Sequence, residues 1–201
     1  MRLLFAGPSP YVRKVNMTAE VKGLSSEIEL VASDAPGSDA LRAQNPLGKI
    51  PVLLRDDGPA IFDSHVICEY LDSLNPNHPL FPREGAARWA TLTMAAMADG
   101  MLDAALLLVY EGRYRPESMR VDAWVEMQQK KIDTALALLE SSPPAWSSNP
   151  DYGHLTIAAA LGYLDFRHGG RWREGHPNMV AWLDAFADAV PAFGMTMPAD
   201  L

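Results

Sequence analysis

The stretch Asn45–Leu53, which reads Asn-Pro-Leu-Gly-Lys-Ile-Pro-Val-Leu, determines how the rest of the chain is interpreted. Pro51 stands between Ile50 and Val52, in an apolar β-branched run that would otherwise form an ordinary strand. Proline cannot donate a hydrogen bond to a sheet and is confined to strand starts, edges or bulges. A cis bond between Ile50 and Pro51 at the entry to a strand fits this position. It would leave the backbone N–H and C=O of Ile50 free for a peptide-like ligand.

The apolar pattern divides the whole chain into two parts joined by a linker. Residues 1–75 alternate short β-like runs with helical ones and predict the order β-α-β-α-β-β-α. Residues 76–84 form a stiff, proline-containing linker. Residues 85–201 show helical periodicity only, with helices predicted near 85–111, 116–141, 156–167 and 177–189. The sequence therefore predicts an α/β domain followed by an all-helical domain.

Composition and charge limit the classes of function. Hydrophobic residues make up 48% of the chain and charged residues 21%, which excludes a disordered protein. The formal net charge of −8 argues against nucleic acid or an anionic membrane as the main partner. The most apolar segment, Trp89–Tyr110, contains Asp99 and Asp103 and is interpreted as a long buried helix rather than a membrane span. The single cysteine, Cys68, and an N-terminus unlike a leader peptide predict a cytoplasmic protein.

Ser9 and Pro10 form the first candidate site. A serine followed by proline is a common way to start a helix, with the serine as N-cap and the proline in the first turn. The same geometry suits a second role, because a hydroxyl at a helix N-terminus can donate a hydrogen bond to an anion. A thiolate is one such anion, and donors of this kind lower the pKa of a thiol.

Asp63 and Ser64 form the second candidate site, between a predicted hairpin and the helix that follows it. They could simply cap that helix. Alternatively, the helix amides and the Ser64 hydroxyl could bind a carboxylate while Asp63 binds an adjacent ammonium group. An amino-acid head group carries both charges. The five histidines show no metal-ligand spacing, so we expect no metal site.

The order of these motifs resembles that of the glutathione S-transferases. Ser-Pro-Tyr-Val follows the first predicted strand, Ile-Pro-Val precedes the third, and Asp-Ser follows the fourth. The resemblance covers essentially the whole chain. It implies a thioredoxin-like N-terminal domain that binds glutathione, followed by a helical-bundle C-terminal domain that provides most of the pocket for a hydrophobic, electrophilic second substrate.

The resemblance also implies a role for each matching residue. Ser9 would be the hydroxyl that stabilises the thiolate, and Ile50, next to cis Pro51, would pair through its backbone with the cysteinyl residue of glutathione. Asp63 and Ser64 would hold the γ-glutamyl head group. Lys49 would approach the glycyl carboxylate. Arg42, on the short helix just upstream, could approach it too or be a solvated surface arginine. These are the residues by position: Ser9, Arg42, Lys49, Ile50, Pro51, Asp63 and Ser64.

Three departures from the family pattern are visible. Asp63 stands where many relatives carry glutamate. Ser9 and Val12 occupy the places of the two redox cysteines of glutaredoxin-like relatives, which disfavours thiol–disulfide exchange. In the predicted third helix of the C-terminal half, starting at Thr156, Ala159 stands where the family usually has the acidic partner of a capping box, so a one-sided cap is expected.

The resemblance implies a detoxifying transferase that uses glutathione as co-substrate and forms a homodimer, with the N-terminal domain of one subunit packed on the helical domain of the other. A non-catalytic protein of the same architecture, acting in stress responses by binding other proteins, is the alternative. Such a protein would not need Ser9, Lys49, Asp63 and Ser64 together, so their presence favours the enzyme.

Overall fold

The structure is a computed structural model that describes residues 1–33, 37–145 and 149–198. Its internal contacts divide the chain into two compact units. The first unit contains residues 1–82 together with 190–198, and the second contains residues 83–189. This grouping differs from the sequence prediction mainly at the C-terminal end, since residues 190–198 belong to the first unit and not to the helical one.

The first unit has the element order predicted from the sequence. In chain order its elements are β1 (Arg2–Phe5), α1 (Pro10–Val21), β2 (Glu29–Ala32), α2 (Asp39–Gln44), β3 (Val52–Leu54), β4 (Ile61–Phe62) and α3 (Ser64–Leu74). The four strands form one sheet in the order β2-β1-β3-β4. β1 is parallel to β2 and antiparallel to β3, and β3 is antiparallel to β4. The predicted thioredoxin-like fold is confirmed.

One apolar core joins the sheet to α1 and α3. Leu3 in β1 and Leu53 in β3 are fully buried. Val15 in α1 and both Ile67 and Leu71 in α3 are also fully buried, and the two helices contact each other. Close packing of this kind fixes the positions of both helices relative to the sheet. The N-terminal ends of α1 and α3 are therefore held in place by the core.

The second unit is all-helical, as predicted. Its helices are α4 (Gly85–Tyr114), α5 (Asp122–Ser141), α6 (Tyr152–His168) and α7 (Pro177–Ala189). α4 packs against both α5 and α6. The predicted second helix began near residue 116, but α5 begins at Asp122 because Glu117–Met119 form a separate 3-10 turn.

The start of α6 corrects the sequence prediction. The expected start at Thr156 is wrong, because Asp151 caps a helix that begins at Tyr152. Asp151 Oδ1 accepts a hydrogen bond from the N–H of His154 at 3.1 Å, and His154 Nδ1 accepts one from the N–H of Asp151 at 3.1 Å. This is a complete capping box in which histidine replaces the usual glutamate or glutamine. The expected one-sided cap with Ala159 is therefore also wrong.

By length and composition alone, α4 is long and apolar enough to cross a membrane, with a mean hydropathy of 1.7 over its most apolar window. Only 33% of that window is buried, so the prediction of a buried helix holds for one face. Trp89 and Leu107 on other faces are 67% and 38% exposed. Since α4 also packs on α5 and α6, we interpret it as an amphipathic helix of the second unit.

The C-terminal segment, residues 190–198, is fastened to α1 by Arg13. This segment contains the short helix α8 (Ala192–Met195), which contacts α1. Arg13 is buried, and its Nη2 atom donates to the carbonyl oxygen of Phe193 at 2.9 Å. The guanidinium carbon also lies 4.2 Å from the centroid of the Phe193 ring. These contacts explain why the segment belongs to the first unit.

Candidate functional site

The strand register brings the three candidate stretches to one end of the sheet. β1 is antiparallel to β3, so the C-terminal end of β1 lies beside Val52, the first residue of β3. Val52 is also opposite Phe62, the last residue of β4. Ser9 follows β1, Ile50–Pro51 precedes β3, and Asp63–Ser64 follows β4. All three stretches therefore leave or enter the sheet at the same end.

Ser9 is the N-cap residue of α1. Its Oγ atom accepts a hydrogen bond from the N–H of Val12, with a distance of 3.3 Å between nitrogen and oxygen. This contact uses a lone pair of the oxygen, and the hydroxyl proton has no acceptor among the residues that the structure describes. The capping role is confirmed, and it leaves the hydroxyl able to donate to an anion. Such an anion would also meet the positive end of the α1 dipole.

Ile50 presents its backbone at the same end. The Ile50–Pro51 bond is cis, as predicted, and Ile50 lies outside the strand register. Within the described ranges, neither its N–H nor its C=O has a hydrogen-bond partner. A buried or half-buried peptide group normally finds a partner. The backbone of Ile50 is thus able to pair with an extended peptide-like molecule.

Asn45 organises the loop that leads to Ile50. It is 3% exposed, and its Oδ1 accepts from the N–H of Leu47 at 3.0 Å while its Nδ2 donates to the carbonyl oxygen of Lys49 at 2.8 Å. Sequence reasoning gave no role to Asn45, although asparagine two residues before a turn amide is a recognised turn signal. Gly48 also shapes this loop, since its φ is 61°. A Cβ atom there would lie 2.9 Å from Cα of Gly37.

Asp63 and Ser64 open α3. Asp63 has a φ of 69°, a conformation that residues other than glycine seldom adopt, and its Oδ1 accepts from the N–H of His65 at 2.8 Å. Ser64 is 5% exposed, and neither its N–H nor its hydroxyl has a hydrogen-bond partner in the described part of the chain. Leaving a buried polar group unpaired costs about 1–3 kcal/mol. The N–H and hydroxyl of Ser64 at the start of a helix are suited to a carboxylate.

Two cationic residues shortly precede Ile50 in the sequence. Lys49 is exposed and directly precedes Ile50. Arg42 is in the last turn of α2, and its Nη2 atom lies beside Gly37, where a Cβ atom would come within 3.0 Å. Neither Lys49 nor Arg42 forms an ion pair with a described residue. Both charges are therefore available to an anionic ligand.

The described residues include no group of three or more His, Cys, Asp or Glu side chains that could hold a metal ion. The polar groups at this end of the sheet are hydrogen-bond donors, one exposed carboxylate and two cations. Two helix N-termini, those of α1 and α3, lie at the same end. This arrangement suits a peptide-like molecule that carries carboxylates and one ammonium group.

Family comparisons agree with this geometry. The family model of the glutathione S-transferase N-terminal domain matches residues 8–74, and the family model of the C-terminal domain matches residues 122–185. Together the two matches cover more than half of the chain. The chain belongs to the glutathione S-transferase family.

Several glutathione S-transferases of known structure or sequence are similar along the whole chain. A glutathione transferase family member from Pseudomonas fluorescens Pf-5 with bound glutathione is 41% identical, with a TM-score of 0.94 over 99% of each chain. A family member from the same organism with bound S-(propanoic acid)-glutathione is 39% identical, with a TM-score of 0.88 over 100% of each chain. The uncharacterized GST-like protein YibF of Escherichia coli K12 is 32% identical over 186 residues, 90% of each chain.

In this glutathione S-transferase, every predicted site residue belongs to the first unit. Ser9, Ile50 and Ser64 lie at one end of the sheet. No described residue bonds to the hydroxyl proton of Ser9, to the backbone N–H and C=O of Ile50, or to the N–H and hydroxyl of Ser64. Asp63 uses one carboxylate oxygen as a helix cap. The roles of the individual residues stay predictions.

Proposed function

We propose that the protein is a glutathione transferase that binds glutathione in its first unit and holds it as a thiolate through Ser9. The observation that carries the proposal is that Ser9 caps α1 with an oxygen lone pair and keeps its hydroxyl proton available. A donor at a helix N-terminus favours the charged form of a thiol and so lowers its pKa. Bound glutathione in a relative that is 41% identical supports the choice of ligand.

The remaining groups would position the tripeptide. The backbone of Ile50 pairs with the cysteinyl residue, and the N–H and hydroxyl of Ser64 bind the α-carboxylate of the γ-glutamyl head. Asp63 binds the ammonium group of that head through the carboxylate oxygen that does not cap α3. Lys49 and Arg42 face the glycyl carboxylate.

The proposed reaction is attack of the thiolate on an electrophilic carbon of a hydrophobic small molecule. The thiol proton leaves to solvent, and a sulfur electron pair forms the new carbon–sulfur bond. The displaced electron pair leaves with a departing anion or moves onto an adjacent conjugated group. Catalysis comes from the lowered thiol pKa and from positioning, without a covalent bond to the enzyme. A relative with S-(propanoic acid)-glutathione bound holds a glutathione derivative substituted at sulfur, which is the product class of such a transfer.

Calorimetric titration with glutathione tests the ligand assignment. Wild-type protein should bind glutathione, and Ser64→Ala should weaken binding about tenfold, because it removes a hydrogen bond to a charged group. Ser73→Ala, in the same helix but exposed and bonded to the carbonyl oxygen of Tyr70, is the matched control and should bind like wild type. Absence of binding at millimolar glutathione, or equal affinity of Ser64→Ala, would contradict the proposal.

The alternative function is a non-catalytic binding or stress-response interaction protein. It would retain glutathione binding in the titration above but would not lower the pKa of the bound thiol. A panel of electrophiles with and without a leaving group then separates the two functions. Turnover of any member that depends on Ser9 supports the transferase, whereas binding without turnover across the panel supports the alternative.

We further propose that the protein is a cytoplasmic homodimer. An open groove of about 850 Å³ lies between α4 and α5, lined by Met97, Met127 and Leu138 and by Glu126 and Lys130. Met127 and Leu138 are 51% and 58% exposed and line the same groove, and apolar side chains grouped in this way at a surface are typical of a contact surface. Sedimentation at micromolar concentration should show a dimer. Met127→Glu should dissociate the dimer, whereas Met119→Glu, at a methionine that is 65% exposed but lies outside the groove, should not.

A further inference from the structure

The side chain of Asn45 holds one peptide group of the loop that leads to β3. Its Nδ2 atom donates to the carbonyl oxygen of Lys49 at 2.8 Å. Its Oδ1 atom accepts from the N–H of Leu47 at 3.0 Å, and this second bond fixes the orientation of the amide, because only the oxygen can accept. Asn45 is 3% exposed, so the carbonyl group of Lys49 is held from the protein interior.

The peptide group that Asn45 holds also carries the N–H of Ile50. The Lys49–Ile50 bond is trans, and in a planar trans peptide the C=O and the N–H point in opposite directions. Because Asn45 binds the C=O, the N–H of Ile50 is directed away from Asn45. It has no partner among the described residues and is available to a ligand. A hydrogen bond to the C=O also polarises the peptide group and makes its N–H a better donor.

Backbone contacts hold the loop on the N-terminal side of this peptide group. The N–H of Asn45 donates to the carbonyl oxygen of Leu41 in α2 at 2.9 Å, and the N–H of Gly48 donates to the carbonyl oxygen of Asn45 at 2.8 Å. The carbonyl oxygen of Gly48 accepts from the N–H of Gly37 at 3.2 Å. Among the described residues, only the side chain of Asn45 bonds to the Lys49–Ile50 peptide itself. The direction of the Ile50 N–H therefore depends on this one side chain.

We propose that Asn45 is a positioning residue for glutathione. By holding the carbonyl group of Lys49, it presents the N–H of Ile50 to the carbonyl oxygen of the cysteinyl residue. The inference rests on the proposed function and adds to it a buried side chain that sets the affinity for glutathione without touching the ligand. Ser9 belongs to a different element, so Asn45 should control the affinity and leave the thiol pKa unchanged.

Asn45→Asp tests the direction of the peptide. The variant keeps an oxygen for the N–H of Leu47 but places a second acceptor against the carbonyl oxygen of Lys49. The Lys49–Ile50 peptide should therefore reverse and donate the Ile50 N–H to the new carboxylate. Calorimetric titration should show about tenfold weaker binding of glutathione, equivalent to about 1.4 kcal/mol. Asn45→Ala removes the donor without adding a charge and should weaken binding about threefold.

Asn75→Asp is the matched control. Asn75, like Asn45, is a helix C-cap followed by proline, and it lies at the C-terminal end of α3. Its Oδ1 accepts from the N–H of Asn77 at 3.0 Å and its Nδ2 donates to the carbonyl oxygen of Lys22 at 3.0 Å. The control thus makes the same chemical change and adds the same charge far along the chain from Ile50. It should bind glutathione like wild type.

The amide of Ile50 provides a readout that a merely structural role would not change. In ligand-free protein labelled with ¹⁵N-isoleucine, this amide can be identified by its loss in Ile50→Val. Its hydrogen exchange should be about tenfold slower in Asn45→Asp than in wild type, because the carboxylate then protects it. The thiolate absorbance of glutathione bound to Asn45→Asp should titrate at the wild-type pH, since Ser9 is intact.

Three results would overturn the inference. They are wild-type glutathione affinity in Asn45→Asp, an equal loss of affinity in Asn75→Asp, and unchanged exchange of the Ile50 amide in Asn45→Asp. If wild-type protein does not bind glutathione, the proposed function fails. The exchange measurement needs no ligand, so it still decides whether Asn45 sets the direction of the Ile50 N–H.

Discussion

Lys22 and Asp72 form a buried ion pair in which Nζ lies 2.7 Å from Oδ1. Lys22 is the C-cap residue of α1, and Asp72 is in the last turn of α3. Nζ also donates to the carbonyl oxygen of Asn77 at 2.8 Å, and the Asp72 carboxylate accepts from the N–H groups of Leu80 and Phe81. The pair thereby fixes the linker to the C-terminal ends of the two helices whose N-termini face the candidate site.

Replacing Asp72 should destabilise the protein strongly. Asp72→Asn leaves the Lys22 ammonium buried without its counter-charge, so we expect a loss of about 3 kcal/mol in the free energy of unfolding. Asp57→Asn makes the same chemical change at a carboxylate that is 79% exposed and 3.7 Å from Arg55, and it should cost less than about 0.5 kcal/mol. Urea denaturation of both variants measures the difference. Equal losses would refute a stabilising role for the buried pair.

Removing the Ser9 hydroxyl should separate chemistry from folding. Ser9→Ala should lower turnover about 100-fold with glutathione affinity nearly unchanged, because the thiolate loses its donor. It should also cost about 1 kcal/mol of stability as a lost helix cap. Ser38→Ala removes the equivalent cap of α2, where Ser38 Oγ accepts from the N–H of Leu41 at 3.2 Å, and should retain full turnover. Steady-state kinetics on both variants decide the role, and undiminished turnover in Ser9→Ala would rule it out.

A side chain at position 48 should distort the loop that presents Ile50. Gly48→Ala combines a φ of 61° with a Cβ atom 2.9 Å from Cα of Gly37, so we expect a cost of about 1–2 kcal/mol and weaker glutathione binding. Gly100→Ala lies within α4 with open space around the added methyl, and should stabilise the protein by about 0.5–1 kcal/mol. Thermal denaturation should therefore show a lower melting temperature for Gly48→Ala and a higher one for Gly100→Ala. A neutral Gly48→Ala would show that the loop tolerates the side chain.

The α6 cap should make stability depend on pH in the acid range. Burial would raise the pKa of Asp151, but hydrogen bonds from His154 and Thr91 outweigh burial and lower that pKa below its ordinary value of 3.8. The stabilisation of the folded protein by the ionised Asp151 cap is therefore complete above the ordinary pKa of 3.8. It is lost as the pH falls through the lower pKa of Asp151 in the folded state. Asp151→Ala should cost about 1–2 kcal/mol near pH 6 and progressively less toward pH 3. Denaturation across this range checks the trend.

A matched cap provides the reference for that titration. Ser38→Ala removes a cap whose oxygen does not titrate, so its cost should stay constant over the same pH range. If Asp151→Ala and Ser38→Ala showed the same pH dependence, the contribution of the Asp151 carboxylate would have to be abandoned.

Local signals in the sequence are enough to predict the order of helices and strands in the first unit. Pro51 after Ile50 indicated the cis bond and the start of β3, and Ser9-Pro10 indicated the start of α1. Each of these signals lies within a few residues of the feature that it predicts. Capping preferences and the constraints of proline act over that same short range.

Features that depend on distant contacts were not predicted. Arg13 binds a carbonyl oxygen 180 residues away, and Lys22 pairs with a carboxylate 50 residues away, so no local pattern marks either contact. The start of α6 differs from the prediction because the Asp151 cap uses His154 as its reciprocal partner in place of the usual glutamate or glutamine.

The most direct test of thiolate stabilisation by Ser9 is the near-ultraviolet absorbance of glutathione thiolate, followed from acid to alkaline pH with wild-type protein at saturating glutathione. A thiolate band should persist well below the ordinary thiol pKa of about 8.5. The band should move to higher pH in Ser9→Ala and stay in place in Ser38→Ala. Bound glutathione that titrates like the free thiol would contradict thiolate stabilisation by Ser9 and leave a protein that binds glutathione without activating it.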